Sequence, residues 1–213
     1  MKSIIEYVLI FLPMLGMSQS SHFDQLNAIK ISPAEFGNAQ FEMSYERYFG
    51  ERTSSLTIMP SIFLKDDVKE SKEGYQVGVQ YRVYLSHVRS DQNSVFLGFH
   101  NLGLYAGIYA QYLDYKEDYQ FYSWNNETNE SVILDLAKDV NSTEGGAIIG
   151  VQFDVTKKIL IDFYIGGGVR YSDFTDTKNG IVDPNIHYEE VSVFDPEYKG
   201  VKPKVGFQLG FMF

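Results

Sequence analysis

The chain of 213 residues contains no cysteine, a single tryptophan and few basic side chains. Without cysteine it has no disulfide framework, no thiolate metal site and no N-terminal cysteine to carry a lipid. Its 18 lysines and arginines are outnumbered by 28 acidic residues, which gives a formal net charge of −10. Because phosphate binding requires patches of lysine and arginine, this balance argues against a nucleic-acid partner.

Long apolar runs are also missing, apart from one near the N-terminus. Residues 7–17 (YVLIFLPMLGM) follow the positive charge of Lys2 and are too short to cross a bilayer as a helix. Residues 16–18 (GMS) form a small-x-small cleavage site. We therefore predict a signal peptide over residues 1–18 and one domain over residues 19–213, with an uncleaved anchor as the alternative. No transmembrane helix is expected in the mature chain.

The sequence is instead rich in tyrosine, phenylalanine and glycine, with 16, 16 and 18 residues. Strands favour the two aromatic side chains, and glycine is typical of tight turns and crowded strand interiors. Apolar and polar residues alternate most clearly in residues 75–85 (YQVGVQYRVYL) and 203–213 (PKVGFQLGFMF). Such a period of two predicts strands with one apolar and one polar face. The apolar face of the last strand contains Phe207, Leu209, Phe211 and Phe213.

The same pattern predicts eight strands in total, and these cover residues 27–36, 39–49, 55–64, 75–85, 95–114, 144–155, 159–172 and 203–213. We expect a β-bulge between Phe99 and Leu102, where the alternation slips. The longest predicted loops are residues 115–143 and 173–202. Closure pairs the edge strands, and lipid solvates an apolar outer face. The sequence therefore predicts an all-β, eight-stranded antiparallel up-and-down transmembrane β-barrel.

Three segments resemble known proteins: residues 27–31 (NAIKI), residues 41–47 (FEMSYER) and the closing strand, which ends on Phe213. They resemble the small eight-stranded outer-membrane barrel proteins common in Bacteroidota. The resemblance covers most of the mature chain, and residues 45–47 (YER) are its most specific element. It implies an outer-membrane location, with outer-membrane lipid and the barrel-assembly machinery as partners. Because those families mostly lack an assigned activity, the resemblance implies a location and a fold more than a function.

If the apolar faces point outward, the polar faces fill a lumen just wide enough for its own side chains. The predicted interior polar network consists of Glu42, Glu46, Arg82, Asp162 and Arg170. Next to it we expect Lys30, Gln80, His100 and Gln208. Buried charges must be paired or hydrated. A gated ion path and a polar plug that fixes strand register both remain open, and the plug is favoured because eight strands leave no aqueous channel.

The two longest predicted loops combine acidic and aromatic residues. Their aromatics are Tyr119, Phe121, Tyr122, Trp124, Tyr188, Phe194 and Tyr198. These side chains are expected either to contact a protein or glycan partner or to pack the loops into a cap. The acids are either calcium ligands or a solvated face, and no EF-hand spacing is present. No cofactor and no metal site are expected.

The leading hypothesis is a non-enzymatic barrel that presents these loops for adhesion, envelope integrity or docking of an envelope assembly. A lipid-modifying barrel enzyme is one alternative, since His187 lies near Glu189, Glu190 and Ser192. That grouping is too generic to define a triad. The second alternative is a soluble secreted β-barrel that binds a small apolar ligand inside. This alternative requires apolar residues in the lumen.

Overall fold

The computed structural model describes residues 26–66, 70–89, 101–125, 130–178, 193 and 198–213. Within them, eight strands follow one another around a closed antiparallel sheet, in which β8 pairs with β1. The prediction of an all-β fold with eight antiparallel strands is confirmed. The strands are β1 (Asn27–Ile31), β2 (Gln40–Phe49), β3 (Ser54–Asp66), β4 (Glu70–Arg89), β5 (Asn101–Asn125), β6 (Glu130–Asp154), β7 (Ile159–Lys178) and β8 (Gly200–Met212). The predicted signal peptide lies outside the described residues.

The alternation along each strand sets which side chains fill the closed sheet. On β4 the outward residues are exposed, namely Tyr75, Val77, Val79, Tyr81 and Val83. The residues between them point inward, and Gln76, Gln80 and Arg82 are buried. Successive side chains of a strand alternate between its two faces, so one polar stripe from each strand lines the lumen. The molecule is therefore polar inside and apolar outside.

Closure takes place between the first and last strands. Ala28 to Ile31 pair with Met212 to Leu209. Phe213 extends the pairing, because its amide donates to the carbonyl of Asn27 at 2.9 Å and its carbonyl accepts from the amide of Asn27 at 3.1 Å. Met212 breaks the apolar-out pattern because its position faces the lumen, where it is 1% exposed.

The first strand is shorter than predicted. β1 ends at Ile31, and the chain continues as a 3-10 helix over Pro33–Asn38. Proline has no amide to donate to a sheet, so Pro33 ends the ladder and begins the helix. Ala39, with φ of 54°, then returns the chain to β2.

The predicted loop over residues 115–143 is wrong, because most of it is strand. β5 continues to Asn125 and β6 begins at Glu130. The prediction that Tyr119, Phe121, Tyr122 and Trp124 lie in a surface loop is therefore also wrong: all four lie on β5. The backbone register explains the difference, because every residue from Tyr115 to Asn125 has a partner on β6 and strand formation depends on neighbours across the sheet. Tyr198 lies two residues before β8, whereas Tyr188 and Phe194 lie outside the described residues.

The longest strands continue beyond one end of the barrel. β5 and β6 stay paired up to Asn125 and Glu130. We name residues 70–74, 115–125, 130–140 and 174–178 the projecting sheet, and the adjacent opening of the barrel the outer mouth. Eleven residues of β5 extend on the order of 30 Å at the usual rise of a strand.

A described β-bulge lies on β4 rather than on β5. The register shifts between Tyr84 and Ser86, which leaves Leu85 without a partner and 71% exposed. The slip predicted on β5 begins at Phe99, outside the described residues, and Leu102 itself pairs regularly with Phe153. A bulge increases local twist, and here it bends β4 near the end of the barrel opposite the outer mouth.

Candidate functional site

Four charged side chains from four strands meet in the middle of the lumen. This central charge cluster consists of Lys30, Glu46, Arg82 and Asp162, and none of their side chains is exposed. Lys30 Nζ lies 2.6 Å from Glu46 Oε2 and 2.5 Å from Asp162 Oδ2. Arg82 Nη1 lies 2.5 Å from Asp162 Oδ2 and 3.6 Å from Glu46 Oε1. Two cations and two carboxylates therefore form a neutral group.

Small residues on neighbouring strands leave room for these long side chains. Lys30 lies opposite Ser44 on one side and Gly210 on the other. Arg82 lies opposite Gly107. A Cβ atom at Gly107 would lie 2.7 Å from a backbone oxygen of β4, so this position requires glycine for close strand packing.

Hydroxyl groups satisfy the remaining lone pairs of the two carboxylates. Tyr105 donates to Asp162 Oδ1 at 2.7 Å, and Tyr48 donates to Glu46 Oε2 at 2.9 Å. Ser55 donates to Glu46 Oε1 at 2.5 Å. The guanidinium of Arg82 also lies over the ring of Tyr105, 4.5 Å from its centroid. Buried ion pairs stabilise a fold only when such additional bonds compensate for lost hydration.

A second ion pair closes the end of the lumen opposite the outer mouth. The guanidinium of Arg52 donates to Asp154 Oδ2 at 2.6 Å and lies 4.7 Å from the ring centroid of Tyr48. Gly50, Glu51 and Arg52 all have positive φ, between 53° and 65°. Non-glycine residues rarely adopt this conformation. The turn between β2 and β3 therefore places a charged side chain inside the barrel.

A third group lies toward the outer mouth. Glu144 accepts from Arg170 Nη2 at 2.6 Å and from Tyr109 at 2.7 Å. Lys204 donates to Gln111 Oε1 at 2.5 Å. An apolar layer lies beside this group, and its residues are 1–3% exposed: Phe63, Leu113, Tyr115 and Val140.

The structure places all five residues of the predicted interior network in the lumen, but in three separate groups. Glu46, Arg82 and Asp162 belong to the central charge cluster. Arg170 binds Glu144 instead. Glu42 accepts from Ser32 at 2.6 Å and from Gln208 at 3.4 Å. Gln80 accepts from Arg82, and His100 lies outside the described residues.

Sequence reasoning missed several partners of these groups. Glu144 and Asp154 share the inward face of β6 with Gln152, so the alternation itself carried a signal for them. The sequence indicates the inward position of Tyr105 less clearly, since tyrosine is common on both faces of a strand. No sequence pattern indicates that Arg52 points inward, because only the left-handed turn directs it into the lumen.

The interior chemistry is that of a filled lumen. In the central charge cluster every charged group has an opposite charge within 3.6 Å. Among the described residues, no group of three or more histidine, cysteine, aspartate or glutamate side chains is arranged to hold a metal ion. This arrangement favours a polar plug over an ion path.

We expect the folded protein to give no stable conductance in planar bilayers, because the paired side chains leave no continuous water path through the lumen. An open porin measured under the same conditions serves as the positive control. A long-lived, ion-selective conductance from the purified protein would contradict the plug and support the ion path.

Searches against protein-family models, curated proteins and solved structures gave no match for this chain. No helix in the described part of the chain is long and apolar enough to cross a membrane. The functional assignment therefore rests on the geometry of the chain itself.

Proposed function

We propose that this chain is a non-enzymatic β-barrel protein of a bacterial outer membrane. It spans the bilayer, its lumen is plugged, and its projecting sheet is presented at the cell surface to dock a protein or glycan partner. The observation that carries the proposal is the inverted polarity of the barrel, with charged residues inside and apolar residues outside.

The extent of the apolar outer surface argues against a barrel surrounded by water. Val79 is 41% exposed, Ile108 65% and Ile165 58%, and each lies among other outward apolar side chains. Water-soluble monomers rarely expose contiguous apolar patches larger than a few hundred Å². A soluble barrel with an apolar ligand inside requires the opposite arrangement. Lipid solvates such a surface, which supports a transmembrane barrel.

The height of the apolar surface fits a bilayer. The outward apolar residues of β4 extend from Tyr75 to Leu85. The ten steps from the first to the last residue of this eleven-residue stretch span roughly 25 Å on a strand tilted by about 40°, which is the usual height of the apolar band on such barrels.

Aromatic residues lie at both limits of this apolar surface. Phe49, Phe153 and Phe211 lie at the end opposite the outer mouth. Tyr75 and Tyr112 lie toward the outer mouth, with ring centroids 6.2 Å apart. Lysine accompanies the aromatics at each limit: Lys158 Nζ lies 5.8 Å from the ring centroid of Phe211, and Lys199 Nζ lies 5.3 Å from that of Tyr171. Aromatic girdles with long cationic side chains are typical of membrane interfaces.

The projecting sheet supports a docking role. In the described part of the chain, residues 121–125 pair only with β6, and residues 130–135 pair only with β5. Among the described residues these segments therefore form sheet edges, and an extended peptide can add to the backbone groups of an edge as a further strand. The exposed side chains nearer the barrel are mainly acidic and include Glu73, Asp118, Asp139 and Asp173. A basic partner complements that charge.

Cysteine labelling tests both the membrane location and the orientation. Because the chain has no native cysteine, Ser123→Cys on the projecting sheet and Lys157→Cys in the β6–β7 turn each introduce a single thiol. On intact cells, a membrane-impermeant maleimide should label the first variant only. Lys157→Cys, the matched control at the opposite end of the barrel, should react only after the outer membrane is permeabilised.

Labelling of both variants on intact cells, or recovery of the protein in the soluble fraction, would contradict a transmembrane barrel. Reversal of the labelling pattern would contradict the orientation alone. Heat-modifiable gel mobility in the outer-membrane fraction provides an independent check that each variant is folded.

A further inference from the structure

Three cations lie together on the inner wall at the outer mouth. Lys202 and Lys204 are two residues apart on β8, so they share one face of the strand, and Lys204 reaches an interior partner. Arg170 on the neighbouring strand pairs with Gly200, which places it diagonally beside Lys202. The residues that directly oppose the two lysines on β7 are Gly168 and Gly166, which have no side chain to pair with them.

The cations differ in what they bind. Arg170 binds Glu144, and Lys204 donates to Gln111. Lys202 is half-buried and makes no hydrogen bond or ion pair within the described part of the chain. An ammonium group that is partly removed from water beside two like charges is unfavourable unless an anion compensates for it.

Three carboxylates among the described residues face this group, and only Glu144 is paired with a cation. Glu144 accepts from Arg170, Tyr109 and Gln111. Glu42 accepts from Ser32 and Gln208, and Glu35 accepts from Asn38 at 3.1 Å. None of the three lies within ion-pair distance of Lys202.

We propose that Lys202, flanked by Arg170 and Lys204, binds a dissolved anion that carries a phosphate or carboxylate group at the outer mouth of the barrel. The cations lie on the inner wall, so a solute reaches them from the mouth and a lipid headgroup on the outer surface does not. Arg170 supplies a planar donor and the lysines supply point charges, a combination that suits either oxyanion. This site does not depend on the proposed docking role.

Titration calorimetry of the full chain folded in detergent, at fixed ionic strength, tests the site with inorganic phosphate and, separately, with acetate. We expect saturable one-site binding of at least one of them. Lys202→Met should weaken the binding of the anion about tenfold or more, since a hydrogen bond between two charged groups contributes more to affinity than one between neutral groups. Lys202→Arg should retain most of it.

Lys199→Met is the matched control, because it removes the same charge from the same chain segment, where Lys199 lies over the ring of Tyr171 outside the barrel. It should leave the affinity unchanged. Unaltered heat-modifiable mobility shows that each variant is folded. Absence of saturable binding of both anions to the wild type, or an equal loss of affinity in Lys199→Met and Lys202→Met, would overturn the site.

Discussion

Replacing Arg82 with alanine should lower the free energy of unfolding by about 3–5 kcal/mol, the usual cost of breaking a buried ion pair by removing one partner. The side chain is fully buried and binds Asp162, Gln80 and Glu46. Without it, the central charge cluster keeps two carboxylates but only the cation of Lys30. Urea titration of protein folded into lipid vesicles, followed by heat-modifiable mobility, measures the loss.

A second substitution separates charge from packing. Asp162→Asn in the Arg82→Ala chain should recover part of the stability, because the cluster then has one cation and one carboxylate. Asp162 is a better choice than Glu46, since it lies 2.5 Å from Arg82 rather than 3.6 Å. Arg47→Ala is the matched control, because Arg47 is half-exposed and donates to Asn27 at the barrel rim. Equal costs at Arg47 and Arg82 would show that the cluster contributes little to stability.

Val79→Arg should cost about 2–4 kcal/mol in a bilayer, the range for a cation on the lipid-facing side of a barrel near the midplane. Val79 is 41% exposed in the middle of the outward row of β4. Its neighbours across the sheet, Ile58 and Ala110, are apolar and offer no partner for a guanidinium. Unfolding in vesicles, compared with the wild type, gives the cost.

Thr143→Arg is the matched control for depth. Thr143 is exposed on the same outer surface, but it pairs with Tyr112 and Tyr171 at the outer limit of the apolar surface. There the same change should cost only about 0–1 kcal/mol. Gln80 is unsuitable as a control, because its amide oxygen accepts from Arg82 and a second cation would disturb the cluster. Equal costs at Val79 and Thr143 would contradict a membrane around the barrel.

The central parts of the strands could be predicted from the sequence alone. Each has a clear period of two, and Gln76, Gln80 and Arg82 of β4 lie on the polar face that the alternation indicates. The same reasoning selected Glu42, Glu46 and Asp162 as inward residues. Prediction from alternation succeeds because the two faces of a strand meet different environments. Consecutive residues therefore alternate between apolar and polar side chains.

The ends of the strands were less predictable. Residues 115–125 carry acids among their aromatics, so their alternation is weak, and they form a strand because β6 continues beside them. Arg52 enters the lumen only because three left-handed residues turn it inward. Local sequence is a poor guide to such features, since strand formation depends on neighbours across the sheet.

Only the tertiary structure decided which charges meet. Lys30 and Asp162 are 132 residues apart, and Arg82 and Asp162 are 80 apart. The alternation of apolar and polar residues predicts that each of these side chains points into the lumen. The height at which each one lies depends on the strand register and on the closure of β1 on β8. Arg170 therefore meets Glu144 on β6 rather than the central charge cluster, because the register aligns these two positions. The ion pairs in the lumen depend on closure of the sheet. The sequence of a single strand does not indicate which strand will lie across the barrel from it.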